Sequence, residues 1–425
     1  MGSPVEYDGN AIDPELLKGS HILEKELKRE LLNPRDTVRT RIEQFLNEND
    51  EDPFFGKNIG IIINDTDRPT PSYLVLEELL DSVPGIEKTV SRVYIATGTH
   101  RPSTEEDLGT LLGDTYDTLK TRVFVHDNSD REAHSSIGIT ERKTEVLVQG
   151  SLNEHDNIVI INSVEPHYFA GFTGGRKSIV PGLAAYETVE HNHSLALDPG
   201  SRALALEGNP VHEDLEEASD LFMKGRKHVS IQLVQGPGIE LVDMFMGEIK
   251  ESFQKAVELS REVFTIEIPH LYDIVLTFAR PPMDSTLYQA QKAIENGKLA
   301  LRKGGTIILA ASCKEGIGRS AFWDLLTSHE DPGRVLQEIE NGYRLGYHKA
   351  AKLVQLAMES NIFLVSRLDP DEVGKGFMTG FTDIEEALNE AKRKSGNNPS
   401  ILVIPDGTVT VPQFRSDPKW QKMTE

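Results

Sequence analysis

Short apolar runs rich in β-branched residues alternate with amphipathic stretches along most of the chain. Each run spans about 4–7 residues, is bounded by polar or turn-forming residues, and is apolar nearly throughout. Such runs are typical of parallel strands that are covered on both faces of a sheet. Strands are therefore predicted at 58–64, 93–96, 122–126, 157–162, 229–234, 273–278, 306–311, 362–366 and 401–404.

The stretches between these runs carry apolar residues at the spacing of amphipathic helices. One helix is expected to begin near Pro71 and another near Ser103, where Ser103 and Glu106 have capping-box spacing. The alternation of strand and helix predicts the α/β class, with two Rossmann-like domains and an active-site cleft between them. Helices are expected at 71–83, 103–112, 250–263, 286–302, 332–345 and 383–394.

The length of 425 residues predicts two or three domains. An amphipathic run ends at Val263 and a new strand begins at Asp273, so a boundary is expected between them. This divides the chain into an N-terminal domain at 1–268 and a C-terminal α/β domain at 269–404, while the tail at 405–425 could pack back onto the first domain.

The charge balance excludes several classes of partner. Asp and Glu number 68 against 45 Lys and Arg, so the net charge of −23 disfavours nucleic acids and anionic membrane surfaces. No apolar run approaches the roughly 18–20 residues of a membrane span, and no signal-peptide core is visible. A single cysteine, Cys313, cannot form an internal disulfide or a Cys-rich metal site. These features predict a cytoplasmic protein.

Ligands of open α/β sheets bind at the carboxyl ends of strands, so the residues after each strand are the first candidates. Asp65, Asp67 and Arg68 follow the first strand in a proline-rich turn. The arginine could clamp a carboxylate or phosphate, or form a surface ion pair beside a helix cap. Thr99 and His100 follow the second strand, where a histidine could exchange protons or be merely solvated.

The residues after the fourth strand read E-P-H-Y-F-A-G-F-T-G-G-R-K-S and include His167. Gly174 and Gly175 could let successive backbone N–H groups face an anion, with Arg176 and Lys177 nearby. The spacing of a Walker A motif is absent. A flexible glycine hairpin is the purely structural alternative.

Two further groups stand out. His191 and His193 could both bind one metal ion in an extended segment, whereas on a helix they would diverge by about 200°. Gln289 and Lys292 lie three residues apart at a predicted helix start, so they could jointly hold an oxyanion or simply be exposed. A zinc hydrolase that uses the histidine pair and a non-catalytic carrier of a nucleotide cofactor are functions that these residues leave open.

Taken together, these segments resemble the nickel-dependent lactate racemase family over most of the chain. The most specific parts are E-P-H-Y-F-A-G-F-T-G-G-R-K and the following H-N-H, while 65–68 resembles D-x-T-R and 288–292 resembles Y-Q-x-x-K. The family uses a nickel-pincer nucleotide, a pyridinium mononucleotide with two sulfur arms. The resemblance implies that Lys177 carries it through a thioamide and that His193 binds nickel, with His191 ranked lower.

The resemblance also implies a racemase or epimerase of 2-hydroxy acids whose N-terminal domain binds the cofactor. His100 and His167 would exchange the hydroxyl proton on opposite faces of the substrate carbon while its hydride moves to the cofactor and back. Separate cofactor-maturation proteins are implied partners. The other implied catalytic residues are Asp65, Arg68, Gln289 and Lys292, and those expected beside the cofactor are Thr99, Gly174, Gly175 and Arg176.

The sequence departs from the family pattern at Asp67, where lactate enzymes have a hydroxyl or small polar residue before the arginine. A negative charge beside Arg68 should penalise dicarboxylates and could accept hydrogen bonds from additional hydroxyls. The substrate is therefore expected to be lactate-like or a larger sugar acid, an aldonate.

Overall fold

The structure, a computed structural model, describes residues 6–8, 10–24, 33–49, 54, 56, 58–236 and 239–414. It contains two compact units: Leu27–Val263, here the N-terminal unit, and Met1–Glu26 with Phe264–Glu425, here the C-terminal unit. This division differs from the sequence-based one, because it falls at Val263 and gives the first 26 residues to the C-terminal unit. Part of the predicted tail, 415–425, lies outside the described residues.

The first described residues form three short strands of the C-terminal unit, β1 (Glu6–Tyr7), β2 (Asn10–Ala11) and β3 (His21–Ile22). The N-terminal unit follows. Its last helix ends at Phe264, one residue past the boundary of the unit at Val263. Its elements are α1 (Pro34–Glu48), β4 (Ile59–Asn64), α2 (Ser72–Ser82), α3 (Ile86–Thr89), β5 (Val90–Ala96), α4 (Glu105–Leu112), α5 (Tyr116–Leu119), β6 (Val123–Val125), β7 (His134–Ile139), β8 (Glu145–Gln149), β9 (Asn157–Ser163), β10 (Pro166–His167), β11 (Gly171–Phe172), α6 (Tyr186–Ser194), α7 (Pro210–Met223), β12 (Lys227–Gln235), β13 (Leu241–Gly247) and α8 (Ile249–Phe264).

The rest of the C-terminal unit alternates strands and helices. Its elements are β14 (Thr265–Ile268), β15 (Tyr272–Phe278), α9 (Leu287–Gly297), β16 (Leu301–Ala310), α10 (Ser320–Leu326), α11 (Pro332–Glu338), α12 (Tyr347–Ala357), β17 (Asn361–Val365), α13 (Pro370–Gly374), β18 (Thr379–Phe381), α14 (Ile384–Ser395), β19 (Ile401–Ile404) and β20 (Val411–Phe414).

The main sheet of the N-terminal unit has the order β13-β12-β9-β4-β5-β6. All its neighbouring strands are parallel except β12 and β13. The chain runs from β4 outward through β5 and β6, and then returns to the other side of β4 with β9, so the topological switch point lies between β4 and β9. The fully buried Ile61, Ile62 and Ile63 of β4 explain why this central strand is apolar on both faces.

The main sheet of the C-terminal unit has the order β18-β17-β16-β15-β19-β3 and is parallel throughout. Its edge strand β3 pairs with β19, where His21 lies opposite Leu402. This pairing explains why the first residues belong to the C-terminal unit. A separate pair joins β14 to β20, so the described part of the tail also lies in this unit. The predicted α/β class, with two α/β domains, is confirmed.

Several element boundaries differ from the expected ones. The helix predicted at 286–302 ends at Gly297, because β16 begins at Leu301, and the one predicted at 332–345 ends at Glu338. The capping box lies one residue later than predicted: Asp107 Oδ2 accepts from the Thr104 N–H at 2.7 Å. The antiparallel pair β7 and β8 was not predicted. Among the described residues, none of the helices combines the length and the apolar character needed to cross a membrane.

Candidate active site

The loops after β4 and β9 are joined at the switch point of the N-terminal sheet. Thr70 Oγ1 lies 2.8 Å from Ser163 Oγ at the end of β9, and Asn64 Nδ2 donates to Thr70 Oγ1 at 2.8 Å. These bonds close the turn that contains Asp65, and Asp65 is only 4% exposed. The sheet order therefore brings two of the segments singled out in the sequence to one place.

The loop after β5 adds His100 to this turn. Its Nδ1 lies 2.7 Å from Asp65 Oδ2 and 3.4 Å from Asp67 Oδ2. Because Asp65 is an acceptor, Nδ1 carries the proton of the neutral ring and Nε2 keeps a lone pair. A quarter of the His100 side chain is exposed, and a lone pair on Nε2 is the group that a general base needs.

Three ligand atoms in this turn could hold a metal ion. Those of Asp65, Asp67 and His100 lie within 4.8 Å of one another, and no other group of three carboxylates, histidines or cysteines does so among the described residues. The short hydrogen bond between His100 and Asp65 accounts for this arrangement without an ion. Arg68, the next residue, donates to the backbone carbonyl of Asp67 at 3.1 Å.

His167 lies on the hairpin of β10 and β11 and is only 7% exposed. Its Nδ1 accepts from the Ala170 N–H at 3.3 Å, so the neutral ring carries its proton on Nε2. The ring stacks on Tyr168, with centroids 5.2 Å apart. His100 and His167 thus present opposite functions at Nε2, an acceptor on one ring and a donor on the other.

The ring of Phe169 connects three of the residues predicted from the sequence. Its centroid is 4.5 Å from that of His167 and 5.1 Å from that of His193, and Lys177 Nζ lies 5.7 Å from it. Phe169 itself is almost fully buried. Phe169 is not among the site residues predicted from the sequence. Its position two residues after His167, in a segment rich in aromatic residues, is the signal that could have indicated it.

Gly174 is required by packing, and Gly175 by its backbone conformation. A Cβ on Gly174 would lie 2.5 Å from Val164 Cγ2, and Gly175 has a φ of +54°. The Gly175 N–H donates to Gln232 Oε1 at 3.0 Å. This donor is therefore already used within the protein, which differs from the expected nest of N–H groups facing an anion.

Arg176 also has partners other than the expected anion. Its Nη2 donates to the carbonyls of Ala170 at 2.9 Å and Phe172 at 3.2 Å, and its guanidinium lies 4.4 Å from the centre of the Phe253 ring. Complete burial lowers the pKa of Arg176 to about 9. The side chain therefore braces the segment between His167 and Lys177.

His212, which the sequence left without a role, stacks on the same Phe253 ring with a centroid separation of 6.3 Å. Burial, and secondarily the charge of Arg176, lower the pKa of His212 to about 3. The imidazole is therefore neutral at physiological pH and acts as part of the packing behind the glycine turn.

The loop of Thr99 and His100 lies against the turn that follows Lys177. The Gly98 N–H donates to the Gly182 carbonyl at 3.0 Å, and the Gly182 N–H donates to the Lys177 carbonyl at 3.0 Å. The backbone thus joins the segment of the predicted base to that of the predicted cofactor lysine.

His191 and His193 lie on helix α6, which settles the alternatives left by their spacing. Residues two apart on a helix point in diverging directions, so the pair does not share one metal ion. The exposed His191 Nε2 lies 3.1 Å from the Arg142 carbonyl oxygen, whereas His193 contacts Phe169. The zinc hydrolase alternative therefore loses its geometric basis.

Asn192, between the two histidines, is buried and fixes the helix. Its Nδ2 donates to Asp214 Oδ2 of α7 at 2.8 Å. Asp214 is 1% exposed and also accepts from Thr140 Oγ1 at 2.5 Å and Thr144 Oγ1 at 2.7 Å. This carboxylate joins α6, α7 and the turn between β7 and β8, so it sets the orientation of the helix that carries His193.

Gln289 and Lys292 lie on the first turns of α9 in the C-terminal unit. Thr286 caps this helix and accepts from the Gln289 N–H at 3.3 Å. Lys292 Nζ lies 3.1 Å from Met283 Sδ. The helix start expected from the sequence is confirmed, and the roles of the two side chains stay predictions.

Comparisons with known proteins cover nearly the whole chain and all point to the same family. The lactate racemase N-terminal domain family matches residues 6–203, and the lactate racemase C-terminal domain family matches 270–411. The lactate racemase of Thermoanaerobacterium thermosaccharolyticum is 31% identical over 394 residues, 91% of this chain and 89% of that protein. The lactate racemase of Lactiplantibacillus plantarum is 27% identical over 406 residues, 93% of this chain and 95% of that protein.

Two solved structures share the fold. The apoprotein of the Thermoanaerobacterium thermosaccharolyticum lactate racemase superposes with a TM-score of 0.83 at 28% identity, covering 97% of this chain and all 100% of that one. A Thermotoga maritima protein has a TM-score of 0.70 at 19% identity, covering 91% of this chain and 100% of that one, which shows a common fold.

We expect Asp214→Ala to lower the free energy of unfolding by about 2–4 kcal/mol, because it leaves buried donors without their charged acceptor. The matched control on the same helix is Asp220→Ala, which removes an exposed ion pair to Lys250 and should cost less than about 1 kcal/mol. Chemical denaturation of both variants measures the difference. Equal losses would contradict the assignment of Asp214.

Proposed function

The chain belongs to the lactate racemase family, and on that premise we propose that it inverts C2 of a 2-hydroxy acid. Family membership makes the protein an isomerase of the racemase type, so a hydrolase or a non-catalytic carrier does not fit. The observation that carries the proposal is the pair of histidines with opposite Nε2 functions. Inversion needs a proton acceptor and a proton donor on opposite faces of the reacting carbon.

In the proposed reaction, His100 Nε2 accepts the hydroxyl proton of the substrate while Asp65 holds the ring through Nδ1. The positive charge that forms on the imidazole is stabilised by the Asp65 carboxylate, 2.7 Å away. With a hydride acceptor bound, loss of the hydroxyl proton to His100 and of the C2 hydride to that acceptor would leave a planar 2-keto acid. His167 would then supply the proton from Nε2 of its imidazolium form when the hydride returns on the other face, and the opposite enantiomer would exchange the two roles.

The residues around Phe169 fit the cofactor that the family resemblance implies. Lys177 offers an amine for covalent attachment, and His193 offers an imidazole nitrogen, a ligand type that suits nickel. Both contact the same aromatic ring, at 5.7 Å and 5.1 Å from its centroid. When bound, a nickel-pincer nucleotide would supply a reversible acceptor for the substrate hydride. Cofactor-maturation proteins are then required partners.

Positioning of the substrate carboxylate is proposed for Arg68, with Gln289 and Lys292 as further ligands. Arg68 makes a hydrogen bond to the Asp67 carbonyl through Nη1, which leaves other guanidinium donors for a carboxylate. A held carboxylate restricts the change of configuration to the central carbon. Thr99 is proposed to lie beside the cofactor because its loop contacts the turn after Lys177.

Asp67 supports a larger substrate than lactate. Its carboxylate lies 3.4 Å from His100 Nδ1, and its side chain is 30% exposed, so it can accept hydrogen bonds from a ligand near the base. Additional hydroxyls of an aldonate would provide donors, whereas the methyl group of lactate provides none. We therefore propose a 2-hydroxy acid of the lactate type or, because of Asp67, an aldonate.

Each of His100→Gln and His167→Gln should lower kcat of the holoenzyme by at least about 100-fold, because each removes a proton-transfer group. Chiral chromatography of one enantiomer incubated with the enzyme measures interconversion. His329→Gln in the C-terminal unit, where Nε2 lies 2.9 Å from Glu338 Oε1, is the control and should keep the wild-type rate. Inversion at full rate by either of the first two variants would contradict the proposed acid and base.

Intact-protein mass spectrometry with metal analysis tests the cofactor. Chain co-expressed with maturation proteins should carry a covalent adduct on Lys177 and about one nickel per chain. Lys177→Arg should carry neither, while His193→Gln should keep the adduct and carry less than one nickel per chain. An unmodified wild-type chain that carries zinc despite active maturation proteins would overturn the assignment.

Asp67→Thr should change the substrate preference. We expect the ratio of kcat/KM for gluconate to that for lactate to fall by about tenfold or more, because a hydroxyl replaces a strong acceptor. Asp81→Thr, at an exposed position near the end of α2, is the matched control. Comparable turnover of both acids by the wild type, with no change in Asp67→Thr, would sink the aldonate assignment.

A further inference from the structure

The turn after β6 lies at the same carboxyl edge of the sheet as the loop that follows β5. Its centre is Asn128, whose Nδ2 donates to the Gly98 carbonyl at 2.6 Å. The N–H of the same glycine donates to the Gly182 carbonyl at 3.0 Å. Both backbone groups of Gly98, two residues before His100, are therefore held from outside their own loop.

Asn128 also contacts the helix of His193 through its backbone. Its carbonyl accepts from the N–H of Tyr186, the first residue of α6, at 3.0 Å. The side chain and main chain of one residue thus bind the His100 loop and the start of α6. The turn itself is fixed by Asp127, whose Oδ1 accepts from the Ser129 N–H at 2.9 Å and from Ser129 Oγ at 2.6 Å.

The link from Gly98 to the imidazole of His100 is short and stiff. The His100 N–H donates to the Thr97 carbonyl at 2.9 Å, so the residues between them form a tight turn. A shift of Gly98 therefore moves His100 relative to the buried Asp65. Displacement of a catalytic group by about 1 Å can cost about 100-fold in rate.

A second bond holds the start of this loop without Asn128. Thr97 Oγ1 donates to the His126 carbonyl at 2.9 Å, and both residues are buried. Loss of the Asn128 side chain thus leaves the loop joined to the β6 edge by Thr97. The protein should still fold, while the two residues between Thr97 and His100 gain freedom.

We propose that Asn128 is a positioning residue that fixes the His100 loop relative to α6 and to the Lys177 turn. It acts through Gly98 and makes its contribution before any substrate binds. The inference rests on the proposed role of His100 as a base. It goes beyond that role because the residue that sets the position of His100 follows a different strand, β6.

The test uses Asn128→Asp, which has the same size but places an acceptor against the Gly98 carbonyl, and Asn128→Ala, which removes the donor without adding charge. In holoenzyme, both should lower kcat by at least about tenfold while KM changes by less than about threefold. In the chain without cofactor, hydrogen exchange mass spectrometry should show faster exchange in a peptide spanning 97–100. Asn153→Asp, at an exposed position, is the control and should change neither.

Unchanged exchange at 97–100 in both Asn128 variants would overturn the proposal, as would faster exchange with wild-type kcat. A uniform rise in exchange over the whole N-terminal unit would also count against it, since that describes a general loss of stability. A wild-type holoenzyme without racemase activity would overturn the proposed function instead, because the exchange comparison does not depend on turnover.

Discussion

The parallel pairing of β4 with β5 on one side and β9 on the other is the constraint on which the candidate site depends. It brings together three loops that are far apart in the chain, and the apolar β4 makes this arrangement hard to change, because its isoleucines are buried on both faces. Once the loops meet, short polar contacts such as Thr70 with Ser163 and His100 with Asp65 set their details.

Two buried charges hold the segments behind these loops, and they do so in different ways. Asp214 is surrounded by hydroxyl and amide donors, which compensates the loss of water around a carboxylate. Arg176 instead donates to backbone carbonyls and lies on an aromatic ring. A guanidinium suits this environment because its charge is delocalised and it is weakly hydrated. Replacing either charged residue by an apolar one would leave several buried groups without their hydrogen-bond partner: side-chain donors around Asp214 and backbone carbonyls around Arg176.

The sequence predicted nine of the twelve strands of the two main sheets, because a strand buried on both faces is apolar at nearly every position, whereas the edge strands β3, β13 and β18 were not predicted. The family resemblance, which the comparisons confirm, marked His100, His167, Lys177 and His193. What could not be predicted depends on contacts between distant segments. The H-N-H motif was equally compatible with a loop, Phe169 read as one aromatic among several, and Asn128 follows a short strand whose exit carried no recognisable pattern.

The pairing of β3 with β19 has a consequence for how the protein is made. The C-terminal sheet takes one edge strand from the beginning of the chain and its neighbour from near the end, so the whole N-terminal unit is an insertion within it. During synthesis the N-terminal unit can fold as soon as it leaves the ribosome, since all its strands are then present. β3 has no partner strand until β19 has been synthesised. A ribosome-bound chain at that stage therefore combines all the strands of the N-terminal unit with a first segment whose partner strand has not yet been made.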